Sequence, residues 1–285
     1  MKKLLILSGK GGTGKTTTAA AFIDFSNAEA FADCDVDAPN LHLLVGMKGR
    51  AKKTHFYGSE KANIDDKKCV SCGICYQNCR FQGIIREGER YSVNPFACEG
   101  CGVCMYTCPQ SAVTMEEDVA GVLALYHEER LFSTAKLKMG RGNSGKLVTE
   151  VKKQLETGSS GRFAIIDGSP GIGCPVIASI SGVDMVLIVA EPSLSGISDM
   201  KRILRTAEFF QVKTAVCINK YDTCIENAEK IKKLCQREEI PFVGCIPYDD
   251  KVSAAINEGQ SIANINCPAR DALYEVYENI KVYFI

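Results

Sequence analysis

Three groups of residues in this 285-residue sequence have types and spacings suited to chemistry. The first, Gly9-Lys10-Gly11-Gly12-Thr13-Gly14-Lys15-Thr16, fits G-x-x-x-x-G-K-[ST] and stands between an apolar run and a helical stretch. Glycines at such a turn let backbone N–H groups close around phosphate oxygens, and the positive end of the following helix adds to the attraction. In this pattern Lys15 spans the β- and γ-phosphates of a nucleotide and Thr16 binds Mg²⁺. The second group, Asp33, Asp35 and Asp37, follows a short strand, where carboxylates face phosphates at the C-terminal edge of a sheet. A calcium loop fits them poorly, because the glycine and the distal bidentate Glu of an EF-hand are missing. The third group is cysteine. Fifteen occur, and eight lie between Cys69 and Cys108.

Those eight form C-x₂-C-x₂-C-x₃-C twice. Cys69, Cys72, Cys75 and Cys79 recur at a constant offset of 29 as Cys98, Cys101, Cys104 and Cys108. Clustered thiols in a reducing compartment bind metal more often than they form disulfides. The second run ends in Cys108-Pro109, so the block resembles bacterial ferredoxins, in which the fourth cysteine of each run serves the other cluster. The expectation is two [4Fe–4S] clusters, one on Cys69, Cys72, Cys75 and Cys108, the other on Cys79, Cys98, Cys101 and Cys104. Zinc on paired C-x₂-C knuckles is the competing metal. Arg80 follows Cys79 where the second run has proline, a departure from the pattern. Metal would supply much of the folding free energy of so small a block, which without iron is expected to be disordered.

Lys10 is a second lysine inside the phosphate loop. Lys10 to Thr16 reads K-G-G-x-G-K-[ST], and on this motif the chain resembles the MinD/ParA/Mrp group of P-loop ATPases over nearly all its length outside the cysteine block. The resemblance implies that Lys10 reaches a nucleotide held by a partner subunit, hence an ATP-dependent homodimer. It implies that Asp35 positions the attacking water, that Asp33 is an outer Mg²⁺ partner, and that Asn40 is the asparagine of the first switch. Phe163–Asp167 is an apolar strand ending in the aspartate of a Walker B element, so Asp167 joins Thr16 and Asp33 around Mg²⁺. Ser169–Gly173 would be the second switch, with the Gly171 N–H near the γ-phosphate. Asn219 and the Pro247 region resemble the adenine-recognition elements. The expected nucleotide site is Gly9, Lys10, Gly11, Gly12, Thr13, Gly14, Lys15, Thr16, Thr17, Asn219 and Pro247, and the catalytic residues are Lys10, Lys15 and Asp35.

These residues need a scaffold of alternating strands and helices. Apolar runs at Leu4–Leu7, Phe31–Asp33, Phe163–Ile166, Met185–Ala190, Ala215–Ile218 and Phe242–Cys245 read as buried strands. Amphipathic helices are expected at about 15–26, 146–155, 199–210, 226–238 and 269–282. The expected fold is an α/β P-loop NTPase with a mostly parallel sheet flanked by helices, carrying an inserted small α+β ferredoxin-like domain. Its parts would be 1–60, 61–116 and 117–285. Hydrophobic residues make up 46% and charged residues 24%, a globular composition. Lys plus Arg (34) balances Asp plus Glu (34), so no global field draws in nucleic acid or an anionic membrane, and neither partner is expected. The apolar start stops at Ser8, and no run approaches the roughly 20 residues that cross a bilayer, so a cytoplasmic protein is expected. Cys174, beside the second switch, reads as a small core residue more than a redox thiol. His42, His55 and His127 lack metal-site spacing. Lys48, Arg50, Lys52 and Lys53 read as a solvated linker.

Three outputs follow for an Mg²⁺-dependent ATPase built this way. Foremost is assembly or delivery of iron–sulfur or other metal cofactors to an apo-protein. Next is ATP-gated electron transfer to a redox partner. Third is a positioning or scaffold ATPase of the ParA/MinD kind, with the clusters as a redox sensor.

Overall fold

The computed structural model describes residues 1–158 and 161–284. The chain divides into a larger unit, Met1–Lys53, Leu123–Lys136 and Ser144–Ile285, and a smaller one, Thr54–Val122 and Leu137–Asn143. In chain order the first elements are β1 (Lys2–Leu7), α1 (Lys15–Ser26), β2 (Ala30–Asp33), α2 (Leu41–Leu44) and β3 (Lys52–Tyr57). The smaller unit supplies β4 (Lys61–Ile64), α3 (Ile74–Asn78), β5 (Ile84–Glu87), β6 (Arg90–Val93), α4 (Val103–Thr107) and β7 (Val113–Glu116). Then follow β8 (Val119–His127), β9 (Leu131–Leu137), α5 (Ser144–Gly158), β10 (Phe163–Asp167), α6 (Cys174–Ile180), β11 (Met185–Ala190) and α7 (Leu194–Phe209). The chain closes with β12 (Lys213–Asn219), α8 (Ile225–Arg237), β13 (Phe242–Ile246), α9 (Asp250–Asn257) and α10 (Pro268–Phe284).

The sheet of the larger unit runs in the order β13-β12-β11-β1-β10-β2-β9-β8. From β13 to β9 every neighbouring pair is parallel. Such strands are covered on both faces, which is why all six residues of β11 are buried and why these strands are apolar without alternation. Leu4 and Ile6 of β1 join the cluster containing Phe22 of α1 and Val276 of α10, while Leu5 and Leu7 point to the other face, as the period of two requires. Ala19, Ala20 and Ala21 bring α1 close to the sheet at little side-chain entropy cost. Phe31 of β2 stacks on Phe132 of β9 at 5.0 Å between ring centroids, and Tyr126 of β8 stacks on Phe132 in turn at 5.5 Å.

The sheet departs from the expected, mostly parallel one at this end. Residues 128–130 join β8 to β9, and a link that short between neighbouring strands makes an antiparallel hairpin, so the sheet is mixed. Nothing in the sequence announced it, because Glu128-Glu129-Arg130 contains no turn-forming dipeptide and Gly121 breaks the apolar pattern of β8.

The smaller unit is built from two antiparallel pairs, β4 with β7 and β5 with β6, and two five-residue helices. The sequence repeat is also a structural repeat. α3 and α4 each start after a left-handed glycine, Gly73 and Gly102, both at φ 75°. The thiols of the repeat gather in two places, with Cys69, Cys72, Cys75 and Cys108 lining one small cavity and Cys79, Cys98, Cys101 and Cys104 another. All eight are free thiols.

The structure corrects the metal expectation for this unit. Among the described residues no group of three or more His, Cys, Asp or Glu side chains stands where it could hold a metal ion. Burial pushes the Cys75 and Cys104 thiols up, toward the neutral form. The Sγ atoms of Cys79 and Cys108 accept backbone N–H groups, from Gly83 at 3.2 Å and Ala112 at 3.3 Å. The two [4Fe–4S] clusters and the ferredoxin-like identity of the insert therefore find no support. Both cavities have apolar residues in their walls, Ile64 and Val113 in one and Ala62 and Ile84 in the other.

Replacing Phe31 with Ala should cost about 3–5 kcal/mol, the range for emptying a fully buried phenylalanine site. Urea unfolding followed by far-UV circular dichroism would read this as a lowered midpoint, and an unchanged midpoint would show that the Phe31–Phe132–Tyr126 stack does not hold β2 to the hairpin.

Candidate functional site

The site stands at the C-terminal ends of β1, β2 and β10 in the larger unit. Strand register sets its first feature. Asp167 pairs with Asp33 across β10 and β2, and with Ile6 across β10 and β1, so two carboxylates end adjacent strands. Both are fully buried. Lys15, the first residue of α1, reaches across to Asp167, with Nζ 2.6 Å from Oδ1. Burial alone would lower the Lys15 ammonium, but Asp167, Asp33 and Asp35 outweigh it and hold it above its usual range. Nζ also donates to Thr16 Oγ1 at 3.3 Å.

Asp33 accepts three backbone N–H groups, from Asp35, Asn40 and Leu41, at 2.9–3.0 Å. This ties the loop 34–40 around the carboxylate. Burial first, and the Asp167 charge second, nevertheless push Asp33 up to about 7. Asp35 is also raised by burial, against the pull of Lys15. Asp167 Oδ2 is buried and has no hydrogen-bond partner among the described residues. A buried carboxylate oxygen left unpaired is costly, and a cation is the partner that best suits it.

Between Gly9 and Gly14 the chain wraps inward. Gly14 has φ 97°, a left-handed backbone that favours glycine, and a Cβ there would lie 2.2 Å from Asn219 Nδ2 and displace that amide. Helix α1 follows directly with no side-chain cap and no acidic residue in its first turn. Its first N–H groups are thus left for an anion, and the helix dipole favours one. Strand β12 braces the loop from behind. Asn219 Nδ2 donates to the Thr13 carbonyl at 2.8 Å, and Lys220 Nζ donates to the Gly12 carbonyl at 3.2 Å.

These elements enclose a cavity of about 420 Å³, a volume typical of small-ligand sites. Of the residues expected from sequence, Lys10, Gly11, Gly12, Gly14, Lys15, Thr16, Thr17, Asp35, Asn40, Asn219 and Pro247 line it. Asp33 and Asp167 lie buried beneath, one through its backbone ties and the other through Lys15. Gly9 and Thr13 line a smaller space with Glu191 and Gly196 instead. Gly9 is pressed against α7, since a Cβ there would meet Asp199 Cβ at 2.1 Å.

Lys10 forms an ion pair with Glu191, at the end of β11, with Nζ 2.7 Å from Oε2. Its side chain stays 41% exposed, in contrast to the 6% of Lys15. Glu191 was not legible as a partner, being a lone acid after a strand. Ala38, Lys220 and Tyr248, which belong to the segments likened to the first switch and the adenine-recognition elements, also line the cavity, as do Val252 and Ile256, which were missed. These two sit at ordinary helix spacing and carry no motif.

The segment expected to be the second switch, Ser169–Gly173, lies between β10 and α6. Gly171, at φ 95°, donates its N–H to the Ser8 carbonyl at 3.1 Å, and Ser169 Oγ donates to the Cys34 carbonyl at 2.5 Å. Pro170 lines the cavity. At the far end of α6 the buried Lys152 of α5 donates Nζ to the carbonyls of Ala178, Ser179 and Ser181. Burial lowers this lysine, while the carbonyls at the negative end of the helix satisfy its donors. Cys174 is exposed, not a core residue.

Residues 4–262 match the CobQ/CobB/MinD/ParA nucleotide binding domain. An uncharacterised protein of Methanocaldococcus jannaschii is 30% identical over 286 residues, covering 99% of this chain and 97% of its own length. The crystal structure of the Pyrococcus furiosus cell division ATPase MinD has a TM-score of 0.58 at 16% identity, covering 99% of each chain. The septum site-determining protein MinD of Pyrococcus horikoshii, complexed with Mg-ADP, has a TM-score of 0.57 at 16% identity, covering 98% of this chain and 95% of that one. These two likenesses concern the fold.

The pH dependence of stability tests the buried carboxylate pair. Raised from 3.8 to about 7, Asp33 keeps its proton in the folded chain where the unfolded chain has lost it. Stability from this group is full below about pH 4 and is lost as pH rises through about 7. In the nucleotide-free protein Asp33→Asn should flatten that decline. Thermal melts from roughly pH 4.5 to 8 check it, and equal slopes for the two proteins would refute the assignment.

Proposed function

Because the chain belongs to the CobQ/CobB/MinD/ParA nucleotide-binding family, we propose that it works as a positioning or scaffold ATPase in which the bound nucleotide decides whether two copies associate. It binds and hydrolyses ATP. The observation that supports association is the division of labour between two lysines. Lys15 is sealed at the bottom of the cavity, whereas Lys10 stands at the rim, partly exposed and paired with Glu191. A rim lysine can reach a phosphate presented by a second copy, while the buried one serves its own. The relatives in fold include a septum site-determining protein, which agrees with a role in placement.

In this reading the triphosphate lies against the uncapped start of α1, and Lys15 leaves Asp167 for the phosphates. Thr16, Asp33 and Asp167 would hold Mg²⁺, and the unpaired Asp167 Oδ2 is the feature of this structure that suits it. When bound, the ion neutralises charge on the phosphate oxygens. Asp35 lines the cavity beside Lys15 and orients the attacking water, its raised pKa helping it to take up the proton. Catalysis is thus positioning and charge neutralisation by groups already in place. To swing a population from 1:99 to 99:1 between separate and paired copies takes about 5.5 kcal/mol of differential binding, a scale that phosphate contacts across an interface can supply.

The two functions that rested on iron–sulfur clusters, delivery of cofactors to an apo-protein and gated electron transfer to a redox partner, lose their basis with the metal groups, as does cluster-based redox sensing. Among the described residues no helix is long and apolar enough to cross a membrane.

Size-exclusion chromatography with light scattering tests the proposal. With hydrolysis blocked by Asp35→Ala, Mg·ATP should give twice the 31.0 kDa of one chain, and Mg·ADP a single copy. Adding Lys10→Ala should return the ATP form to a single copy. A single copy of the Asp35→Ala protein in saturating ATP would sink the reading.

A further inference from the structure

The four residues Asn219-Lys220-Tyr221-Asp222 brace the nucleotide cavity at more than one point. Asn219 and Lys220 hold the phosphate loop, as described above. Asp222 holds a different wall. Its Oδ1 accepts the backbone N–H of Tyr248 at 2.8 Å. Tyr248 belongs to the stretch Ile246-Pro247-Tyr248 that leaves β13 and lines the same cavity as the phosphate loop.

Ile246 is held in the sheet by its pairing with Asn219 of β12, and beyond it the stretch has few other anchors among the described residues. Pro247 has no N–H to give, so Tyr248 is the first residue after the strand with a backbone donor. Further on, Asp249 caps α9 by accepting from Lys251 N at 3.0 Å, and the Tyr248 hydroxyl donates to Asp250 at 2.8 Å. Asp222 is held firmly in its turn. Lys220 adopts a left-handed backbone, and its carbonyl accepts both the N–H and the hydroxyl of Thr223. A carboxylate on a closed turn therefore fixes a short backbone stretch against the ligand cavity.

We infer that Asp222 is a specificity-determining positioning residue, which sets the preference for adenine by holding Ile246–Tyr248 where its backbone meets the base. The chemistry is one of fixed donors and acceptors. Adenine offers an exocyclic amine and a bare ring nitrogen where guanine offers a carbonyl and an N–H, so the two bases demand opposite partners. Backbone groups discriminate between them only when they cannot shift to suit either. This inference needs nucleotide binding alone and is independent of any pairing of copies.

Steady-state ATPase and GTPase measurements on the full chain test it. Asp222→Ala should raise KM for ATP about tenfold, the scale of a lost hydrogen bond to a charged acceptor, with kcat within about twofold of the parent. KM for GTP should change far less, so that the ATP-over-GTP preference falls about tenfold. Asp222→Asn, which keeps an acceptor oxygen without the charge, should restore most of the preference, and Asp222→Leu should behave as Asp222→Ala. An unchanged preference in both Asp222→Ala and Asp222→Leu would overturn the inference. So would an Asp222→Asn protein as impaired as Asp222→Ala, because the charge itself would then be what the base contacts.

Discussion

A lysine ammonium buried between aspartates is the interaction around which this chain is organised. Lys15 and Asp167 meet at 2.6 Å with almost no solvent at either group, and Asp33 sits next to them by strand register. Such a pair contributes little net stability, since desolvating both ions costs about what their attraction returns. Its value lies in what it holds ready. The charges are already stripped of water and aimed at one spot, so a phosphate and a cation entering there would meet groups that need little rearrangement. Removing either partner would leave an uncompensated charge in a closed interior, so the strand ends and the helix start are bound to one another.

The rest of the larger unit keeps that spot in place. Parallel strands buried on both faces bring Asp33 and Asp167 level, and the alanine-rich α1 lies close enough for its first residue to span to them. β12 then props the phosphate loop through Asn219 and Lys220, so the turn that wraps the ligand is held from the sheet as well as from its own helix. The mobile chemistry is confined to the rim. Lys10 is paired with Glu191, a partly exposed acid, and a surface pair of that kind is weak enough to exchange for another anion.

Much of this was legible from residue types alone. α1 runs over Lys15–Ser26 and β11 over Met185–Ala190, the bounds read from the apolar and helical patterns, because glycine and buried β-rich runs mark those ends sharply. The hairpin β8–β9 was not legible, since a charged three-residue link hides its turn. The partner of Lys10 escaped too, because Glu191 is three-dimensional information carried by the neighbouring strand. The cysteine repeat shows the opposite error. Its spacing was read as ligand geometry, and the repeat does recur in space as two helices after left-handed glycines and two thiol-lined cavities. Spacing along a chain fixes which sulfurs come near one another, yet whether they form a metal-holding group depends on distances that no count of residues contains.

The buried ammonium of Lys152 sets the mechanics of the segment that follows Asp167. α6 has only seven residues, a rod of about 10 Å at 1.5 Å per residue, and its last carbonyls are pinned to that single point. With its last carbonyls held there, the rod resists sliding along its axis. The segment Ser169–Gly173 therefore joins the buried Asp167 to a helix held at its far end by Lys152 and packed at its first residue, Cys174, against Gly145 of α5.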